Sequence, residues 1–458
     1  MSMNVPPSGT APVSLGGKAA AQQVFDVRAF GAKGDGKTND AAAIQAAIDA
    51  ATKAGGVVFL KGGTFLSGSI QLKSNVTLRI DKTATLRGTQ NDADYPTHVP
   101  PTSNNQLSNC KRALIYAEGA TNVRIDGGGT IDGNGTAPQW MTATVPEAQR
   151  PMVIWTAQCK GVTLSGVNVK NSAMWSVVSM EDDNVSMDKL TVHSTQGRTR
   201  DGIDIVDSHN VSLTNSTVAS EDDSICLKSG SPRGVANVTV KNCTIQQSGV
   251  ANGLKFGTAS YGSLSNVVFD GIKINNVPQA AMALEAVDGA QISNVTFRNI
   301  QLNKVGMPFF LLIGNRGDTP TGSPKRVGSI NGVNFTNITG SASQNWGSLI
   351  SGARIPDQIT GVSALYPVQN VQFNHLRLTV PGGISTPPAP PPEYDNKYPD
   401  AKNFGVLSAY GVQVRHAQNV TFNDVQITAA KKDVRPEIVQ QDIAPAASPG
   451  TPAGAARR

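Results

Sequence analysis

Three carboxylates open two short, similar segments of this chain. Asp201 begins Asp-Gly-Ile-Asp-Ile-Val, and Asp222-Asp223 precede Ser-Ile-Cys-Leu-Lys. A third segment, Gly253-Leu254-Lys255-Phe256-Gly257-Thr258, follows after an intervening stretch. If these are stacked strands of a parallel solenoid, the three acids meet on one outer face. Clustered carboxyls cannot all ionise without mutual repulsion, so at least one keeps its proton near neutral pH. A protonated acid beside an ionised one is equipment for splitting a glycosidic bond with water. Treating Ile203, Ile225 and Leu254 as inward residues places Asp204, Cys226 and Lys255 in one outward column. Lys228, Gly257 and Glu285 fall in the next column. Lys228 and Lys255 then either bind a substrate carboxylate or neutralise Asp204 and Glu285 as surface ion pairs.

The same acids have other readings. Asp is common at turns, and three carboxylates suit a calcium ion. A polysaccharide lyase or uronate epimerase on the same scaffold would need a base, for which Arg200, Lys228 and Lys255 are candidates. A non-catalytic carbohydrate-binding β-helix, such as an adhesin, would not need the acids.

The elements that must position these residues are legible as a repeat. A phrase of Asn or Gly, Val, any residue and an apolar residue starts at 75, 122, 161, 184, 210, 237, 266, 294, 332, 370 and 419. From Gly161 to Asn294 the spacings are 23, 26, 27, 29 and 28 residues. Such a period indicates a repeat architecture. Within the phrase, alternation has period two, a strand signature. No regular leucine pattern is present, which leaves an all-β parallel β-helix of about ten coils stacked about 4.8 Å apart. The asparagines read as structural, because Asn tolerates the left-handed turn and can bond along its own ladder.

Aromatics at 5%, charged residues at 16% and 46 glycines suit a thin core of stacked aliphatics. The repeat implies one β-helix domain over 24–443, with residues 1–23 and 444–458 disordered. Thr38-Asn39-Asp40 reads as a helix cap. Ile44, Ala47, Ile48 and Ala51 then share one helical face, and residues 39–54 form an N-terminal helix closing the first coil. Residues 383–400, with Pro387, Pro388 and Pro390–Pro392, read as an inserted irregular loop.

Net charge is +6 with a pI near 9.1, which favours an acidic polymer or serves solubility alone. No basic run interleaved with aromatics points to nucleic acid, and no apolar run approaches membrane length. No signal peptide is legible in the N-terminal segment. Cys226 and Cys243 fall in neighbouring coils and are candidates for pairing. No Cys or His cluster has zinc spacing. The expected complement is no cofactor and no metal, in a monomer.

In order along the chain stand Phe30-Gly31-Ala32-Lys33-Gly34-Asp35-Gly36, Ile131-Asp132-Gly133-Asn134-Gly135 and Arg150-Pro151. Asn171-Ser172-Ala173-Met174-Trp175, Asp201-Gly202-Ile203-Asp204 and Asp222-Asp223 follow. From about Phe25 to Arg316 the chain resembles the family-28 glycoside hydrolases, the polygalacturonase and rhamnogalacturonan hydrolase group, and the resemblance implies a right-handed parallel β-helix. The resemblance implies a secreted or periplasmic enzyme acting on an acidic plant-type polysaccharide. It implies Asp222 as general acid, and Asp201 with Asp223 as the pair that activates water. It also implies inversion at the anomeric centre, which needs acid and base roughly 6.5–9.5 Å apart. Three departures stand out. Thr199-Arg200 stands where an Asn-Thr would precede the first of these acids. Ala251-Asn252-Gly253 replaces a Gly-His-Gly, and Met282-Ala283-Leu284-Glu285 stands where an Arg-x-Lys pair would hold a galacturonate. Glu285 there would repel a uronate. The substrate-contacting candidates are therefore Arg200, Asp204, Lys228, Asn252, Lys255 and Glu285. For Trp175 a core role and a sugar platform are both open. Arg316 reads as a loop arginine or a substrate clamp.

Overall fold

The chain's alternating segments wind into a coil in which each turn adds one short strand to each of three parallel sheets. This is a computed structural model, and it describes residues 22–444 apart from 103, 105, 143, 357–362 and 394–395. Most of the two terminal segments expected to be disordered lies outside the described residues.

The recurrent phrase forms one sheet, in which Val162, Val185, Val211, Val238, Val267 and Val295 pair in register from coil to coil. The asparagine that opens each phrase has a left-handed backbone, with φ of 61° at Asn75, 59° at Asn237 and 52° at Asn294. The two phrases without Asn carry Gly161 and Gly332 at φ 76° and 77°, the residue that meets this conformation at least cost. Asn210, Asn237, Asn266 and Asn294 each donate a side-chain amide hydrogen bond to the asparagine one coil earlier, at 2.8–3.3 Å. The expected ladder is therefore present.

The core departs from the expected stack of aliphatics. In the later coils the phrase ends in Phe269, Phe297, Phe335, Phe373 and Phe422, whose rings stack at 4.9–5.1 Å with planes within 6°. That distance is close to the strand spacing, so coil geometry alone places each ring on the next.

A helix, Ala41–Ala54, buries Ile44, Ala47, Ile48 and Ala51, the face its spacing predicts. Its cap differs from expectation. The Asp40 carboxylate makes no cap hydrogen bond, and instead accepts from the Lys33 and Gly34 backbone N–H groups at 2.7 and 2.9 Å. The Ala41 N–H donates to the Asn39 side chain at 3.1 Å. Gly55, at φ 66°, ends the helix.

The third sheet carries the acids. It runs through Ala113–Glu118, Met152–Ala157, Val177–Met180, Ile203–Val206, Ile225–Ser229 and Leu254–Ser260 into the ends of two long strands, Leu264–Ala286 and Gln291–Ile313. The Pro-rich loop is irregular and lies against the last coils. Arg415 donates to the carbonyls of Pro391 and Pro392, both at 2.8 Å.

Candidate active site

Register decides which side chains meet. Ile203, Ile225, Leu254 and Met282 pair in line and point into the core. Their neighbours Asp204, Cys226, Lys255 and Ala283 therefore line up on the outside, as the alternation requires. Asp201 and Asp223 sit two residues before their strands. They are tied together by the Gly202 N–H donating to the Asp223 carbonyl at 2.9 Å.

Each lysine sits between two carboxylates. Lys228 Nζ is 3.0 Å from Asp201 and 3.2 Å from Asp204. Lys255 Nζ is 3.1 Å from Asp223 and 3.6 Å from Glu285. These six residues, with Cys226 and Asn252, are at most 3% exposed, so the ion pairs are internal and not surface pairs. For both lysines burial favours the neutral amine, but the facing carboxylates outweigh it and hold the ammonium well above its ordinary range. That direction is wrong for a general base.

The three aspartates differ in proton affinity. Burial, then the charges of Asp201 and Asp223, push the half-buried Asp222 well above the usual carboxylate range. Burial also acts on Asp223, but Lys255, Lys228 and the Asn252 amide outweigh it and hold its carboxyl low. Asp223 Oδ1 accepts from the Asn252 backbone N–H at 3.0 Å and from Asn252 Nδ2 at 2.9 Å. Burial raises Asp201 well above its ordinary value and Asp204 to about 6, while Lys228 works against both. Burial brings Glu285 to about 7. One neighbouring carboxyl is thus pushed toward its protonated form and another held toward its ionised form, the division acid–base hydrolysis requires.

Asn252 is a positioning residue in this geometry. Besides holding Asp223, its Oδ1 accepts from the Ala280 N–H at 3.0 Å. Arg200 is a correction. Its guanidinium is buried and donates to the carbonyls of Ala173, Gln196 and Gly135, so it braces loops and offers the substrate nothing. Arg316 is a loop residue, bonded to Asp288 at 3.0 Å. Trp175 is 1% exposed, and its ring lies under Lys228, 4.7 Å from Nζ. It supports the ammonium and is no sugar platform. Cys226 and Cys243 are both free; the first faces the site and the second the core, so they cannot pair.

Asp201, Asp204 and Cys226 present three possible metal-ligand atoms within 4.8 Å of one another. Lys228 Nζ already stands among them, 3.0 Å from the sulfur. A divalent ion there would have to displace a buried ammonium.

One site residue escaped the sequence reading. Tyr398, in the Pro-rich loop, accepts a hydrogen bond from Thr258 Oγ1 at 2.9 Å. Its ring centre lies 5.8 Å from both Lys255 Nζ and the Arg316 guanidinium. Nothing in the loop's composition marked it.

A parallel β-helix with a divided set of acids on its outer face defines a carbohydrate-processing enzyme. Residues 52–354 match the model of glycosyl hydrolases family 28, and the chain belongs to that family; it is a glycoside hydrolase. It is 29% identical over 281 residues to the endo-polygalacturonase of Pectobacterium parmentieri, across 56% of this chain and 69% of that protein. It is also 29% identical over 259 residues to the exo-poly-alpha-D-galacturonosidase of Dickeya chrysanthemi, across 46% of this chain and 43% of that protein. The family 28 exopolygalacturonase of Yersinia enterocolitica has the same fold, with a TM-score of 0.69 at 20% identity, over 93% of this chain and 79% of that one.

Proposed function

We propose that this enzyme hydrolyses a pectic polysaccharide with inversion, and that the sugar resting on the floor of its site is neutral. Asp222 is the acid: it gives its proton to the glycosidic oxygen as the bond to the anomeric carbon breaks. Asp223, held ionised, takes a proton from water with Asp201 beside it, and the water oxygen forms the new bond on the opposite face. The names of the polygalacturonase relatives support a pectic substrate.

The observation that carries the choice of sugar is the Asp223–Lys255–Glu285 row. Lys255 is shared by two carboxyls and Lys228 by two more, so neither ammonium is free to clamp a uronate. A further carboxylate finds no unengaged ammonium among these groups, whereas Glu285, near half protonation at neutral pH, can donate to or accept from a sugar hydroxyl. A rhamnogalacturonan-type backbone, which alternates a neutral sugar with a uronate, meets this requirement better than polygalacturonate.

Two measurements test the reading. New reducing ends on a panel of pectic polymers should appear with higher kcat/KM on the rhamnogalacturonan-type backbone. Equal or higher efficiency on polygalacturonate ends the choice of sugar but leaves the hydrolase intact. Proton NMR of the first product should show the inverted anomer. A retained one removes Asp201 and Asp223 from the role of base.

A further inference from the structure

We propose that the site is a dead-end pocket rather than an open groove, so that the enzyme removes units from a chain end. The proposal rests on the hydrolase reading above. Following one outward column from coil to coil gives Tyr116, Trp155, Val178, then Asp204, Cys226, Lys255, then Ala283, Phe310 and Leu349. The adjacent column likewise holds Met180 and Val206 before Lys228, and Leu312 after Glu285. The polar floor, from Asp204 to Glu285, is only four coils long, three spacings or about 14 Å. On either side the outward face is apolar.

Both apolar stretches are covered by chain. At one end Leu107 and Cys110 pack with Tyr116, Trp155, Val178, Met180 and Val206 in a buried cluster of their own. His98 stacks on Tyr116 at 3.8 Å. At the other end Ala401, Phe404 and Leu407 pack on Ala283, Phe310, Leu312 and Leu349, with Phe404 5.5 Å from Phe310. A polymer lying along the coil axis would have to displace one of these clusters.

Crossing the axis is also blocked. The segment that supplies Leu107 is stitched along the strand ends. Thr102 Oγ1 donates to the Gly230 carbonyl at 2.8 Å, Asn104 Nδ2 donates to the Asp318 carbonyl at 2.7 Å, and Gln106 Oε1 accepts from the Ala259 N–H at 3.2 Å. Among the described residues near the floor, Val250 is exposed and Asp222 half-buried where the strands begin, and Tyr398 is exposed beside Lys255. A substrate therefore enters past Asp222 and Tyr398, and its terminal sugar reaches the floor. Relatives whose names specify endo and exo action match this chain at the same 29% identity, so likeness does not choose between them; the two end walls do.

The test follows viscosity, reducing ends and product sizes together during hydrolysis of the polymer the enzyme cuts best. End-on entry predicts that mono- or disaccharide accumulates while the polymer peak keeps its size on gel filtration. Viscosity should fall slowly for each bond cut. Oligomers chemically blocked at both ends should resist hydrolysis, while unblocked oligomers of the same length are cut. A ladder of intermediate products with a rapid loss of viscosity, or cleavage of blocked oligomers, overturns the pocket and leaves the hydrolase standing. Failure to release reducing ends from any pectic polymer or oligomer overturns the pectic reading, and the chain-end proposal with it.

Discussion

The asparagine ladder and the acid pocket are both stacks of polar side chains on the same coils, yet they are built in opposite ways. In the ladder the residue type repeats, so each amide meets an identical one a coil away, and every donor has an acceptor at 2.8–3.3 Å. In the outward column at the centre of the pocket no residue type repeats between neighbouring coils. Asp204, Cys226 and Lys255 follow one another, and charge balance replaces identity. The repeat carries stability, and chemistry sits where it is broken. A row of identical acids would only repel, and a row of identical amides has no proton to give.

The contrast should be plainest in Asp222→Asn. This variant keeps the shape and removes the proton donor, so turnover should fall by about 10²–10⁴ with substrate binding largely kept. Thermal unfolding should barely change. Near-normal turnover would remove Asp222 from the acid role and leave the pocket's asymmetry unexplained.

Lys255→Met should damage stability as well as activity. It leaves Asp223 and Glu285 buried without their cation, and losing one partner of a buried pair costs roughly 3–5 kcal/mol. Adding Glu285→Leu should restore part of that loss, measured as the urea midpoint, while activity stays low because Asp223 still lacks its ammonium. If the double variant is no more stable than the single one, Lys255 and Glu285 are not an energetic pair.

Asn237→Ala probes the ladder. It removes two ladder bonds and places a Cβ-bearing residue without a compensating side chain at φ 59°. The expected cost is about 1–2 kcal/mol, with kcat/KM unchanged. Asn237→Gly should cost less, since Gly161 and Gly332 already occupy equivalent positions. A change in kcat/KM would show that ladder and pocket are coupled.

The buried acids add an effect in pH. Burial raises Asp182, Asp204 and Asp207 to about 6 each, above the unfolded value of about 3.9. Between those values the folded state binds more protons than the unfolded one, so stability should fall as pH rises from about 4 to about 6. The urea midpoint followed across that range checks the sign; a rise would show that groups depressed on folding dominate.

Much of this molecule was legible along the chain. Positive-φ asparagines at a regular period, apolar residues at period two and one helical face are local requirements, met by neighbours in sequence or by the next copy of the phrase. That is why the β-helix, the buried face of the helix and the outward column of Asp204, Cys226 and Lys255 could be read before any coordinates. Other features depended on chain that returns from far away. Arg200 looked like a groove residue from its place beside Asp201, but carbonyls as distant as Gly135 take its donors. Trp175 is buried in a cluster that draws Leu107 and Cys110 from a distant part of the chain. Lys228 and Lys255 are neutralised because burial forces each charge to find a partner at contact distance, and register between coils supplies two apiece. Alternation along a strand says which side chains face out. Only tertiary structure decided what covers that outer face, because the covering segments have no repeat and are held by packing and by bonds between residues more than a hundred positions apart, such as Thr102 with Gly230 and Asn104 with Asp318.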